Sequence, residues 1–338
     1  MRAVTIIAAV AVAGAFLLGL YKHIITKTLG TTDPAIEKAF QEWAVTFGKT
    51  YGTPTERNYR RSVFAQNVEK IAQYNKLYTH RSGLNHLSDL TYEEFLAKYT
   101  TTEAPRRSSE KPATKPSLAQ APSVDWRQKG AVNGIKNQGN CKASWAFATT
   151  AAIESSYKIA GNQLYNLAEQ QIIDCSNLYG NQGCVNGTAL NSYLYVKTVG
   201  GQMQTSDYPY TQQQGKCGYK KADLKAKISG FNELAFDNCH SLVSQLNFQP
   251  VSVGLAVSPE FQSYTSGIFN ITTCGTTLAT YATVVGYDTD PDTKANFWII
   301  RNSWGANWGE AGYMRMDRSG QFPAGICGIC QYGTYPTV

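Results

Sequence analysis

The apolar positions change their spacing four times along the chain. From Ala3 to Tyr21 they run almost unbroken, interrupted only by Thr5 and glycines, over about 19 residues. That is the length of a membrane span and longer than the apolar centre of most leader peptides. A retained signal-anchor is the preferred reading, with a signal peptide cleaved near Ala11-Val12-Ala13 as the alternative. Between residues 34 and 99 the apolar residues recur at steps of three and four, which predicts amphipathic helices. Thr100 to Pro122 carries Pro105, Pro112, Pro116 and Pro122 among Ser, Thr, Lys and Arg, the composition of a linker.

From Ser123 onward, two patterns alternate. Ser144 to about Ala160 is apolar on all sides (Trp145, Phe147, Ala151, Ile153), as in a buried helix. Helices are also expected at Leu167 to Cys175 and from His240 to about Asn247. Pro250 to Val257, Ala282 to Gly286 and Phe297 to Asn302 are short runs with strand character. The class is therefore α+β, a helical half at about 123–235 and an antiparallel barrel half at about 236–330.

The net charge of +7 does not mark a nucleic-acid binder. Residues 123–338 hold 15 basic and 14 acidic side chains, while residues 1–122 hold 16 and 10. The surplus is spread over helices and a linker and reads as solvated surface. All eight cysteines lie after residue 140, which suggests an oxidising lumen such as the secretory or endolysosomal route. Cys327 and Cys330 have no histidine neighbour, so no zinc site is expected, and no cofactor motif occurs. Asn186-Gly187-Thr188 and Asn270-Ile271-Thr272 are glycosylation sequons, making Asn186 and Asn270 glycan candidates.

Asn137-Gln138-Gly139-Asn140-Cys141-Lys142-Ala143-Ser144-Trp145-Ala146-Phe147 resembles the active-site segment of papain-like cysteine proteases. The resemblance puts the nucleophilic cysteine at Ser144, the oxyanion-stabilising glutamine at Gln138 and the orienting asparagine at Asn302, within Asn302-Ser303-Trp304-Gly305. The catalytic histidine would open the strand ending Val285-Gly286-Tyr287, where Thr280 stands. The four histidines are His23, His80, His86 and His240, and none follows residue 240. Threonine is neither base nor cation at neutral pH, and a serine hydroxyl needs a base beside it to attack. A Ser144–Lys142 dyad is the sharpest rescue, but Lys142 is expected to face solvent.

Glu56, Arg60, Val63, Phe64, Asn67, Ile71 and Asn75, with Gly83-Leu84-Asn85-His86-Leu87-Ser88-Asp89, resemble the inhibitory prosegment of cathepsin L-like proteases. Trp43 and Phe47 would pack on that helix face, and His86 is expected to face solvent. The resemblance implies a papain-like two-domain fold behind a helical prosegment at 34–99. It also implies bridges Cys141–Cys184, Cys175–Cys217 and Cys274–Cys327. Cys239 and Cys330 are left over, to pair as a fourth bridge or stay as buried thiols. Asn186 and Lys142 replace glycines of the family's cleft and would crowd its edge.

These readings point to a catalytically inactive homologue acting as a binding or structural subunit. Its own prosegment would lie in the cleft, residues 3–21 in the membrane, and an unnamed protein would be its partner. The alternatives are an active cathepsin L-like endopeptidase and a decoy or regulator of an active relative.

Overall fold

The computed structural model describes residues 33–101, 121–320 and 322–338. The apolar run 3–21 and nearly all of the 100–122 linker lie outside these. Among the described residues no helix is long and apolar enough to cross a membrane.

The prosegment begins with α1 (Pro34–Thr46) and α2 (Pro54–Leu77). Each starts at a proline behind a capping side chain: Asp33 accepts from Ala35 N, and Thr53 accepts from Glu56 N. The expected face of α2 is the one that works. Val63, Phe64 and Ile71 are buried, and Phe64 lies 5.2 Å from the Trp43 ring. Asn67 Nδ2 donates to Ser88 O and Leu90 O, both at 2.9 Å. Arg60 reaches Glu94 at 2.7 Å, and Asn75 Nδ2 donates to Ser82 O at 2.8 Å. The short strand β1 (Arg81–Ser82) and helix α3 (Tyr92–Tyr99), opened by a Thr91–Glu94 capping box, complete this unit.

Next come β2 (Val124–Asp125), α4 (Ser144–Ile159), α5 (Glu169–Cys175) and α6 (Ala189–Val199). They are followed by β3 (Gly230–Glu233), α7 (Cys239–Leu246), β4 (Val251–Leu255), α8 (Pro259–Gln262), β5 (Tyr264–Ser266) and β6 (Ile268–Phe269). The chain ends with β7 (Thr280–Thr289), β8 (Asn296–Arg301), β9 (Tyr313–Asp317) and β10 (Gly333–Thr337). One sheet runs β3-β10-β4-β7-β8-β9-β6, with β2 on β7. Its pairs are antiparallel except β6 with β9. The sheet thus takes in β2, β3 and β10, outside the 236–330 span expected for the barrel, and its end strands β3 and β6 are not paired to each other. Helix α4 is buried from Ser144 to Ser156 and packs on one side of this sheet.

The prosegment docks on the sheet half. β1 pairs with β5, Arg81 opposite Ser266. Asn85 Nδ2 donates to Gln262 O at 2.9 Å, and Gln262 Nε2 donates back to Leu87 O and Leu90 O. Phe95 and Tyr99 meet the Trp304 ring at 5.1 and 5.8 Å, joining the main core. All eight cysteines are paired: Cys141–Cys184, Cys175–Cys217, Cys274–Cys327 and also Cys239–Cys330.

Candidate functional site at the head of helix α4

Ser144 is the first residue of α4, where unpaired N–H groups concentrate positive potential. No side chain caps the helix there. The preceding turn is held by the Cys141–Cys184 bridge and by Lys142 N donating to Cys184 O at 3.2 Å. Ser144 is fully buried, and its Oγ accepts a hydrogen bond from Tyr281 N at 3.1 Å. That bond brings the start of β7, and therefore Thr280, beside the head of α4. Thr280 is 2% exposed and its Oγ1 has no partner.

Asn302 leaves β8 at the same level. Thr283 stands opposite Arg301, so the next residue lies beside the first positions of β7. Its Oδ1 accepts from Ser303 N at 2.8 Å, and its Nδ2 is buried without a partner. Gln138 is tied to the same loop: its Oε1 accepts from Ser303 Oγ at 2.8 Å and its N donates to Ser303 O at 2.8 Å. Its Nε2 donates to Cys141 O at 3.1 Å, and its carbonyl accepts from Tyr210 OH at 2.6 Å. The side-chain amide of Gln138 is therefore satisfied within the fold. Gln138 and Ser144, expected from one stretch, and Thr280 and Asn302, expected from two others, converge on one place.

The described histidines belong to other elements. His240 is exposed in α7, and His80 precedes β1. His86 corrects the expectation of a solvent-facing residue: both its ring nitrogens are buried. Burial first, then the charge of Lys49, pushes its pKa down to about 4. The turn bearing it is folded under α1, where Trp43 Nε1 donates to Asn85 O and Lys49 pairs with Asp89 at 2.9 Å. At the loop expected to border the cleft, Asn186 is only 5% exposed, whereas Val185 beside it is 62% exposed. The loop is drawn inward because Gly187 sits against the Trp145 ring; a Cβ there would come within 2.4 Å of it.

Two features of this region were not expected from the sequence. The partner of Ser144 is a backbone N–H, which carries no side-chain signal. A buried ion cluster lies in the helical half: Lys136 Nζ is 2.9 Å from Glu154 Oε1 and 2.7 Å from Glu169 Oε1. Burial pulls the Lys136 pKa down, but the two carboxylates outweigh it and hold it above its ordinary value, while burial raises Glu169. A glutamate inside an otherwise apolar helix was the available signal. Among the described residues no group of three or more metal-type side chains could hold an ion.

Residues 120–337 match the model for papain family cysteine protease, and residues 40–95 match that for the cathepsin propeptide inhibitor domain (I29). The chain is 35% identical to ananain of Ananas comosus over 313 residues, 91% of this chain and 89% of ananain. A recombinant stem bromelain precursor superposes with a TM-score of 0.82 at 36% identity, covering 90% of this chain and 99% of that one. Digestive procathepsin L 3 of Tenebrio molitor larval midgut gives 0.80 at 34% identity, covering 90% and 100%. The chain belongs to the papain family of cysteine proteases.

Proposed function

We propose that this chain is a catalytically silent member of its family that works as a binding or structural subunit. The observation that carries the reading is the chemistry at the head of α4. Ser144 Oγ accepts the Tyr281 N–H, and the neighbouring side chain at the start of β7 is the Thr280 hydroxyl. Neither group takes up a proton near neutral pH, so nothing there generates an alkoxide. Loss of nucleophile and base together costs several orders of magnitude in rate, leaving residual catalysis from binding and an oxyanion site.

A chain that cannot cut itself keeps its prosegment. The docked 33–101 segment then acts as a permanent intrachain ligand. Residues 3–21 anchor the protein to a membrane, with residues 33–338 in an oxidising lumen where the four bridges persist. Asn270 is exposed and is the sequon that takes a glycan, whereas the buried Asn186 does not in the folded chain.

The test uses purified full-length protein, an epoxide probe of cysteine proteases and a panel of fluorogenic peptides. No labelling and no turnover are expected. Peptide hydrolysis that disappears in Ser144→Ala would overturn the proposal.

A further inference from the structure

Positive charge is concentrated in one short stretch of the papain-like part. Residues 123–338 hold 15 basic side chains, and five of them, Lys216, Lys220, Lys221, Lys225 and Lys227, share 216–227 with a single carboxylate, Asp223. The fold gathers this stretch along α6. Cys217 is bridged to Cys175, and the Tyr219 ring lies 6.4 Å from that of Tyr195. Lys220 N donates to Met203 Sδ at 3.4 Å and Lys225 N to Gln202 O at 3.0 Å, so the stretch returns twice to the same place. Lys197, in the last turn of α6, comes just before that place. The chain is extended around Ala226, which forms an antiparallel bridge with Gln202, and Ala226 and Ile228 are buried. Side chains of an extended chain alternate, so Lys225 and Lys227 face outward together, about 7 Å apart. Lys197, Lys216, Lys220, Lys221 and Lys227 are exposed, and Lys225 is half-buried. Among the described residues none of the six makes an ion pair, whereas Lys49 and Lys136 do.

Six ammonium groups on one surface, with no ion pair to answer them, raise the local potential and attract a polyanion. We propose that this strip binds a linear sulfated polysaccharide. Four disulfides belong with an oxidising lumen or the cell exterior, where nucleic acid is not the polyanion at hand. An anionic membrane fits less well on two counts. The strongly negative leaflet faces the cytoplasm, and 216–227 exposes no large apolar side chain that could enter a bilayer. The strip has no arginine, whose planar fork suits phosphate and carboxylate. Its lysines are point charges that accept a sulfate from many directions along a flexible chain. Sulfate esters also stay ionised through the acid range of an endolysosomal lumen, where sugar carboxylates begin to take up protons. This inference stands whether or not the α4 site is silent.

The test titrates the full-length protein into fluorescein-labelled heparin and reads anisotropy. Saturable binding is expected, weakened at least about tenfold as salt rises from about 50 to about 200 mM. The triple variant Lys220→Gln, Lys221→Gln, Lys227→Gln should lose at least about tenfold in affinity, and arginine at the same three positions should keep it. A control that removes the same charge from the prosegment, Lys38→Gln, Lys70→Gln, Lys76→Gln, should lose less than about twofold. All three variants should melt at the wild-type temperature. Desulfated heparin, which keeps its carboxylates, should bind at least about tenfold more weakly than heparin. No binding of heparin, an equal loss in the two glutamine triples, or equal affinity for the desulfated chain overturns the proposal. A strip variant that loses phosphatidylserine vesicles but keeps heparin also overturns it, and assigns the strip to a lipid surface.

Discussion

Acid should loosen the prosegment through His80. The ring is 1% exposed, boxed by Tyr78 at 5.4 Å, Tyr264 at 6.1 Å and Phe269 at 4.9 Å, and neither nitrogen has a partner. It sits where β1 pairs with β5, at the seam between prosegment and sheet. Burial alone pushes its pKa from 6.5 to about 4. The undocked state therefore binds the proton more readily, so stability of docking falls as pH drops through 6.5 and levels off below about 4. Above pH 6.5 both states are neutral and the residue has no effect. The linkage relation gives a loss of about 2 kcal/mol at pH 5 and about 3 kcal/mol below pH 4.

The comparison is His80→Phe, which keeps a ring in the box and removes the titration. Hydrogen exchange of the amides around β1, corrected for intrinsic rates, should show opening becoming easier from pH 7 to pH 5 in the wild type. That change should be smaller by about 2 kcal/mol in the variant. His86 titrates in the same direction in both proteins and cancels in the difference. Carboxylates act in a lower window: Arg57 and then Arg61 hold Glu37 down to about 2, so its contribution is lost only below its unfolded value of 4.5. If wild type and His80→Phe lose the same protection over this interval, the partnerless ring does not oppose protonation and the reasoning fails.

Local periodicity explains why some of this was legible in the sequence and some was not. The face of α2 could be read because a spacing of three and four puts Val63, Phe64, Asn67 and Ile71 on one line whatever lies beyond it. The bounds of α4, α7 and β8 follow from equally local patterns. The burial of His86 and Asn186 could not be read because it comes from distant partners. The turn bearing His86 is closed from above by Trp43 and from below by Gln262, 177 residues from Asn85 in sequence. The loop bearing Asn186 follows Gly187 against Trp145. Strand β2 is two residues long, too short to declare a period, and exists because Val124 and Asp125 find Tyr287 and Gly286. At the candidate site the side chains could be enumerated from sequence, whereas the Tyr281 N–H that occupies Ser144 could not.

Two further experiments test the site directly. Gly187→Ala should cost about 1–3 kcal/mol in thermal unfolding, because a Cβ 2.4 Å from the Trp145 ring forces the buried indole or the loop to shift. An unchanged melting temperature would mean that the loop does not close on the ring. The second restores the missing pair. Ser144→Cys alone places a thiol at the positive end of α4, but no imidazolium stabilises its thiolate, so epoxide labelling should be slow. Adding Thr280→His sets an imidazole beside it, since Tyr281 N already touches residue 144. Labelling should then rise by about a hundredfold or more over the single variant, the scale on which a positioned base acts. A double variant no faster than Ser144→Cys, yet folded, would show that Thr280 does not hold the seat of the base, and the case for silence would then rest on Ser144 alone.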